Sequence, residues 1–252
     1  MKPVALITGG QQGIGLGIAH ALRDDGFALA IVSERPADDP VVVAAMEQLG
    51  ADARYLQHDL ARIEGVPALL DQVQDRLGPV ASLIQNAGVP ARIRGDMLEV
   101  QPENFDFTLD INLRGTFFLA QEVARRMIAA PSEAYRSLVF VTSVSARSVS
   151  VERAEYCISK AGAAMIAQLF AVRLAAAGIG VFDLRPGIIR TPMTEGAAGK
   201  YTGLIQGGLV PAKRWGEASD IAQIVVPLVQ GRMAFATGAV IPVDGGLSIP
   251  RL

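Results

Sequence analysis

The run EYCISK places Tyr156 and Lys160 four positions apart among good helix formers. On a helix that spacing sets the two side chains one turn apart on the same face. Two chemistries are open to such a pair. One is structural, a half-buried phenol beside a solvated ammonium, which describes most sequences of the form Y-x-x-x-K. The other is a phenol whose proton is managed by a cation, able to exchange that proton with a reacting oxygen. A second candidate lies near the start of the chain, in TGGQQGIG, where Gly9, Gly13 and Gly15 are spaced G-x-x-x-G-x-G. Glycines let a backbone turn sharply and approach a pyrophosphate, and a helix beginning there offers free N–H donors and the positive end of its dipole. Gly9, Gln11, Gln12, Gly13, Ile14 and Gly15 are therefore candidate phosphate-loop residues, against the alternative of an ordinary glycine turn.

These residues need a scaffold, and the hydrophobic pattern supplies one. Short runs rich in Val and Ile at 4–8, 28–32, 53–57, 80–85, 137–143, 180–184 and 239–243 read as strands. Longer segments with helical spacing, at 14–24, 64–77, 102–130, 155–177 and 217–230, lie between them. Strands alternating with helices imply right-handed crossovers and a parallel sheet covered on both faces, and near-continuous apolar strands agree with that burial. The 252 residues contain no repeat, low-complexity tract or linker. The expected fold is α/β, a single domain over 1–252 built on a doubly wound, seven-stranded parallel sheet of Rossmann type. Two segments break the rhythm. Residues 33–42, SERPADDPVV, read as a loop after the second strand. Residues 186–213 are glycine-rich, have no clear period and are too long for a plain connection, which points to a lid or binding loop.

Ligands of open parallel sheets bind at the carboxyl ends of the strands, so the residues there are the next candidates. Asp59, with Leu60, follows the third strand, where a carboxylate can accept an adenine amino group. Asn86, Ala87 and Gly88 close the fourth with small groups that let a flat adenosine pack closely. The net charge of −2 and pI of about 5.8 favour neither nucleic acid nor an anionic membrane surface. A single cysteine, Cys157, excludes an intrachain disulfide and fits a reducing compartment. The opening MKPVALITGG lacks the features of a secretory signal, and no apolar run approaches the roughly eighteen residues of a membrane span, so a cytoplasmic protein is expected. His20 and His58 have no second ligand at metal spacing, and no metal site is expected.

The motifs TGGQQGIG, NAG at 86–88, INLRGTF at 111–117, VTSVSA at 141–146, YCISK at 156–160, RPGIIRT at 185–191 and VDGG at 243–246 together resemble the short-chain dehydrogenase/reductase family over nearly the whole chain. Within it the wording is most similar to 3-oxoacyl-(acyl-carrier-protein) reductases. The resemblance implies a catalytic tetrad. Tyr156 matches the general acid/base and Lys160 the cation beside it. Ser143, thirteen residues before Tyr156, matches the hydroxyl that polarises the substrate oxygen. Asn112 matches the helix residue that holds a proton-relay water. A free phenol has a pKa near 10, so it needs a nearby positive charge to work at neutral pH. Lys160 is expected to supply that charge and to hold a ribose hydroxyl, with Tyr156 also touching the cofactor. Pro186, Gly187, Ile189 and Thr191 match the segment that turns back over the nicotinamide. The substrate lid is then 192–212, with Met193, Tyr201, Leu204, Ile205 and Leu209 lining the pocket, and Trp215 anchors the following helix.

Two departures shape the functional expectation. Carrier-protein reductases of the family place a basic residue just before the glycine that ends the catalytic helix, and here Ala177 precedes Gly178. Arg125, Arg126 and Arg173 are the basic residues left nearby. A small molecule bearing a secondary alcohol or ketone (a sugar, polyol, hydroxy acid or cyclic ketone) is therefore the expected substrate, with a carrier-bound 3-oxoacyl group as the alternative. A dinucleotide-sensing regulator without chemistry would be expected to have lost Tyr156 or Lys160, and both are present. After the second strand, Ser33, Glu34 and Arg35 mix acidic and basic signals. NAD(H) is favoured because a carboxylate at Glu34 accepts from both ribose hydroxyls and repels a 2′-phosphate, while Arg35 keeps NADP(H) as the alternative. The family further implies a homotetramer, and the apolar residues of the tail, Leu247, Ile249, Pro250 and Leu252, are expected near a subunit interface.

Overall fold

The computed structural model describes residues 2–130 and 132–251. Seven strands, β1 (Val4–Thr8), β2 (Ala28–Ser33), β3 (Ala53–Gln57), β4 (Val80–Gln85), β5 (Arg136–Val141), β6 (Ile179–Pro186) and β7 (Val240–Val243), form one sheet in the order β3-β2-β1-β4-β5-β6-β7. Every pairing is parallel. The order reverses beside β1, as in a doubly wound sheet. The helices are α1 (Gly13–Asp24), α2 (Pro40–Leu49), α3 (Val66–Leu77), α4 (Pro102–Leu109), α5 (Thr116–Ala129), α6 (Ala154–Leu174), α7 (Pro192–Glu195), α8 (Ala198–Gln206) and α9 (Ala218–Val229).

Alternation along the strands sends neighbouring residues to opposite faces. Leu6, Leu83, Leu138 and Phe140 pack with Leu69 of α3, Val123 of α5 and Phe170 of α6. Ile7, Ile84, Val139 and Phe182 pack on the other face with Ile18 of α1 and Val225 of α9. Each such fully buried side chain stabilises the fold by about 1.5–3 kcal/mol relative to leaving it in water. The strand ends facing α1 and α6 are thereby fixed by two cores at once.

Three segments differ from the sequence expectation. The loop expected over 33–42 gives way at residue 40 to α2, which Asp39 caps by accepting the Val41 amide at 2.8 Å, with Pro40 in the first turn. The expected helix 102–130 is interrupted by a π-turn at Asp110–Gly115. The segment 192–212 contains α7 and α8 and a small core of its own. Ile205, Val210 and Trp215 are buried there, with Ile188, Tyr201 and Leu247 packed against them. Tyr201 and Ile205 therefore turn at least partly into this core, while Met193, Leu204 and Leu209 stay exposed. Trp215 anchors this segment rather than α9, donating from Nε1 to Thr202 Oγ1 at 3.2 Å. Leu247 of the tail is likewise occupied, Ile249 is exposed, and Leu252 lies outside the described residues.

The stretch Val151–Ala177, which contains α6, is long and apolar enough to cross a membrane by length and composition, beyond what the sequence expectation allowed. Its buried face packs on the sheet through Ile166, Phe170 and Leu174.

Candidate active site

The first strand and the fourth are tied together at their carboxyl ends. Thr8 Oγ1 accepts the Asn86 and Ala87 amides, each at 3.0 Å, and Asn86 Nδ2 donates to Thr8 O at 3.0 Å and Gly9 O at 3.2 Å. Little room is left between them. A Cβ on Gly9, whose φ is +66°, would lie 3.0 Å from Asn86 Nδ2, and a Cβ on Gly15 would overlap the Gly9 carbonyl. Gly13, also at positive φ, faces Thr191, with 3.4 Å between its would-be Cβ and Thr191 Cβ. The glycine loop and the segment after β6 thus meet at the N-terminus of α1. Gln11 is buried in this loop with its Oε1 unpartnered. Such a cradle, narrow and rich in free backbone donors, fits the pyrophosphate of a dinucleotide.

The segment after β6 is set by packing. Gly187 N donates to Val243 O at 3.0 Å, and a Cβ on Gly187 would come within 2.7 Å of Asp244 Cα, so the turn after Pro186 depends on the absent side chain. Ile189 is buried, and its carbonyl accepts Thr194 Oγ1 at 2.8 Å while Thr191 N donates back to Thr194 Oγ1 at 3.1 Å. These bonds hold Thr191 at the start of α7.

At the end of β2 the three mixed residues have separate fates. Ser33 is buried, and its hydroxyl is shared with Tyr55 OH at 2.7 Å and accepts the Arg35 amide at 3.3 Å. Glu34 is exposed. Arg35 Nη1 pairs with Asp39 at 2.8 Å. The Val41 amide, with the Arg35 guanidinium adding, holds the Asp39 carboxyl below its ordinary pKa. After β3, Asp59 Oδ1 accepts the Ala61 amide at 3.0 Å, whereas the Leu60 side chain belongs to the core and leaves only its backbone for a ligand. His58 is half-buried, and burial pushes its pKa down.

The catalytic candidates converge beyond β4 and β5. Asn112, in the π-turn, is buried and uses its whole amide. Oδ1 accepts Val89 N at 2.8 Å, and Nδ2 donates to Val89 O at 2.9 Å and Ser159 Oγ at 3.0 Å. It therefore clamps the end of β4 to α6. A Cβ on Gly88 would lie 3.1 Å from Asn112 Oδ1 and 3.2 Å from Lys160 Nζ. Ser143 closes β5, its Oγ accepting the Ser145 amide at 3.0 Å and keeping its own proton to donate. Lys160 is buried, donates to Val141 O at 3.3 Å, and has its pKa pushed down to about 8 by burial, with Asp183 opposing. Asp183 is itself buried, accepting Thr142 Oγ1 at 2.5 Å and Arg185 Nε at 2.8 Å.

The Tyr156 ring keeps part of its surface open, but burial raises the pKa of its hydroxyl. The groups that pull it back down are the Ser143 hydroxyl and the Arg153 guanidinium. The sequence expectation gave that work to Lys160, whose Nζ is 5.8 Å from the ring centre, and missed Arg153, whose Cζ is at 5.5 Å. The signal was available, since Arg153 precedes Tyr156 by three residues at the entry to α6. Among the described residues no three His, Cys, Asp or Glu side chains gather as a metal site would require.

Residues 9–248 match the family model described as enoyl-(acyl carrier protein) reductase. The chain is similar to the 3-oxoacyl-[acyl-carrier protein] reductase of Brucella melitensis, solved in complex with NAD, at 50% identity and a TM-score of 0.95, covering 100% of this chain and 99% of that one. It is 32% identical over 246 residues to the 3-oxoacyl-[acyl-carrier-protein] reductase MabA of Mycobacterium tuberculosis, covering 97% of this chain and 92% of that protein. A gluconate 5-dehydrogenase from Burkholderia cenocepacia, in complex with NADP and tartrate, superposes with a TM-score of 0.89 at 26% identity, covering 100% and 97%.

Proposed function

We propose a specific reaction for this chain, which belongs to the short-chain dehydrogenase/reductase family and acts on a CH–OH group with NAD or NADP: reduction of a 3-oxoacyl group to the 3-hydroxyacyl group with NAD(H). The observation that carries the reading is the convergence of Ser143, Tyr156 and Lys160 beside Gly88, at the end of a groove with a pyrophosphate cradle at Gly9–Gly15. When bound, the nicotinamide supplies the hydride. The chain does the rest. Ser143 Oγ donates to the ketone oxygen and stabilises the charge that develops there. Tyr156 gives that oxygen its proton, and the lowered pKa of Lys160 lets the ammonium lose and regain a proton near neutrality. Asn112 keeps α6 in register with the end of β4, and the segment 192–212 covers the substrate.

The sequence expectation placed a free sugar, polyol or similar molecule first. The names of the relatives favour the carrier-bound 3-oxoacyl thioester over it. An acyl carrier protein is acidic, and a basic surface would receive it. Arg126 is spent on Asp71 at 2.7 Å and Glu122 at 3.0 Å, and Arg125 reaches Glu122 at 3.8 Å, which leaves Arg173 as the one of the three without an ion pair among the described residues. Ala177 offers the carrier nothing, and that favours a small substrate as the second reading. For the cofactor, the pairing of Arg35 with Asp39 and the exposure of Glu34 support NAD(H). The test is initial-rate reduction of acetoacetyl thioesters of coenzyme A and of carrier protein with NADH and NADPH. Preference for the carrier thioester with NADH is expected. Turnover of polyols or sugars with no thioester reduction would overturn the reading.

A further inference from the structure

We propose that this active site has a further activity, the reduction of free oxo acids, with Arg153 as the residue that holds the substrate carboxylate. The phenol of Tyr156 is flanked by two cations, Arg153 Cζ at 5.5 Å and Lys160 Nζ at 5.8 Å from the ring centre. They differ in how they are satisfied. Lys160 is buried against Val141 O and near the Asp183 carboxylate. Arg153 is half-buried, and its one side-chain hydrogen bond among the described residues runs from Nε to Ser150 Oγ at 3.3 Å. The neighbouring acids do not compensate it. Glu152 reaches Lys200 at 3.9 Å, and Glu155 is buried without a salt bridge and with its Oε2 unpartnered.

The two terminal nitrogens of Arg153 are therefore unspent beside the reacting phenol. A guanidinium offers its N–H groups as a planar fork that matches a carboxylate in a bidentate pair. Arg153 keeps part of its surface open, so an anionic ligand can reach that fork. The space in front of it is also the space the substrate enters. The Lys200–Glu152 contact brings α8 over the residue before Arg153, and the Tyr201 phenol is near enough to Tyr156 to act on its pKa. A ketone whose oxygen sits between Ser143 and Tyr156 would carry its carboxylate toward Arg153.

The inference rests on the ketone-reductase chemistry proposed above and goes beyond it in the substrate. The ketone carbon gains a hydride from the reduced nicotinamide, its oxygen takes the Tyr156 proton, and the carboxylate is unchanged. The products are a hydroxy acid and the oxidised nicotinamide.

Binding is read first, by calorimetry of acetoacetate and of neutral ethyl acetoacetate against the protein saturated with NAD⁺, so that no turnover intervenes. The wild type should bind the acid more tightly than the ester. Arg153→Met should weaken acetoacetate by about tenfold to a hundredfold while NAD⁺ affinity stays within about twofold, and Arg153→Lys should recover part of the loss. With NADH, the ratio of kcat/KM for acid over ester should fall in Arg153→Met by a similar factor, through KM. Equal binding of acid and ester by the wild type, or equal loss of both in Arg153→Met, overturns the proposal. Arg153-dependent binding of acetoacetate without reduction of any ketone would instead sink the ketone-reductase reading and leave the recognition role standing.

Discussion

Arg35 donates to one oxygen of Asp39 at 2.8 Å, and the other oxygen of that carboxylate accepts the Val41 amide at 2.8 Å. The cation that would grip a 2′-phosphate is thus held by the cap of the next helix. Asp39→Ala should release Arg35 and raise the NADPH-to-NADH ratio of kcat/KM about tenfold, while the lost cap lowers stability. Arg35→Ala in the Asp39→Ala background should return the ratio to its starting value. A ratio that does not move in Asp39→Ala would show that this pair does not govern the choice.

Tyr156→Phe keeps the ring and removes the transferable proton. Turnover should fall by about 10²–10⁴-fold, the usual worth of a positioned acid or base. Cofactor affinity, measured by quenching or calorimetry, should be retained. A variant keeping more than a tenth of the wild-type kcat would move the acid elsewhere.

On the proposed mechanism, Ser143→Ala removes the donor to the ketone oxygen. The expected loss is about 10²–10³ in kcat, with little change in cofactor Kd. Thr142 cannot easily substitute, because its hydroxyl already donates to Asp183 at 2.5 Å. An unchanged kcat would therefore transfer the role to Ser145.

The Lys160 pKa has a consequence for stability. It falls from 10.5 to about 8 on folding, so between those values the unfolded chain binds more protons than the folded one. Stability must then rise with pH across that window, and the cost of burying the charged form is fully present below pH 8. The unfolding midpoint of the wild type minus that of Lys160→Met should increase from pH 7 to pH 9.5. A difference that shrinks over this range would contradict the burial of a charged lysine.

Met165, Leu169 and Val172 are exposed along α6, Val172 at 84%, and Ile128 stands exposed on α5 nearby in the same groove as Leu169. An apolar strip of this kind marks an association surface. A homo-oligomer through this face is expected. Val172→Glu should shift sedimentation toward smaller species. A wild type that sediments only as monomer at micromolar concentration would dispose of this expectation.

The order of elements and the strand ends were legible because they depend on runs of Val and Ile and on glycines whose spacing has a backbone cause. The gaps have local reasons. α2 begins with Val41, Val42 and Val43, which favour strands, so the Asp39–Pro40 start signal was outweighed. α8 carries Gly199 and Gly203, which mask the apolar spacing of Tyr201, Leu204 and Ile205. Tyr156, Lys160 and Ser143 could be matched through the family resemblance, whose motifs carry them. The Asp183–Arg185 pair beneath them could not, because a buried charge is recognised by its partner in space. Arg153 was hidden by the habit of reading one cation per phenol.

The π-turn at Asp110–Gly115 also fixes how tolerant this chain is to a change in length. Leu113 fills the space opposite Gly162, and Gly115 backs against the Leu60 carbonyl, so both flanks of the turn are keyed to other elements. Deleting one residue there would let the backbone relax into an unbroken α-helix, locally a more regular ladder. Helix α5 would keep its face to the sheet, because a π-turn takes up one extra residue at almost the rotation an α-helix makes without it. The change would fall inside the turn, on the reach of Asn112 to Val89 and Ser159. A shortened chain of this kind would gain helical regularity, keep its packing and forfeit the clamp between the end of β4 and α6.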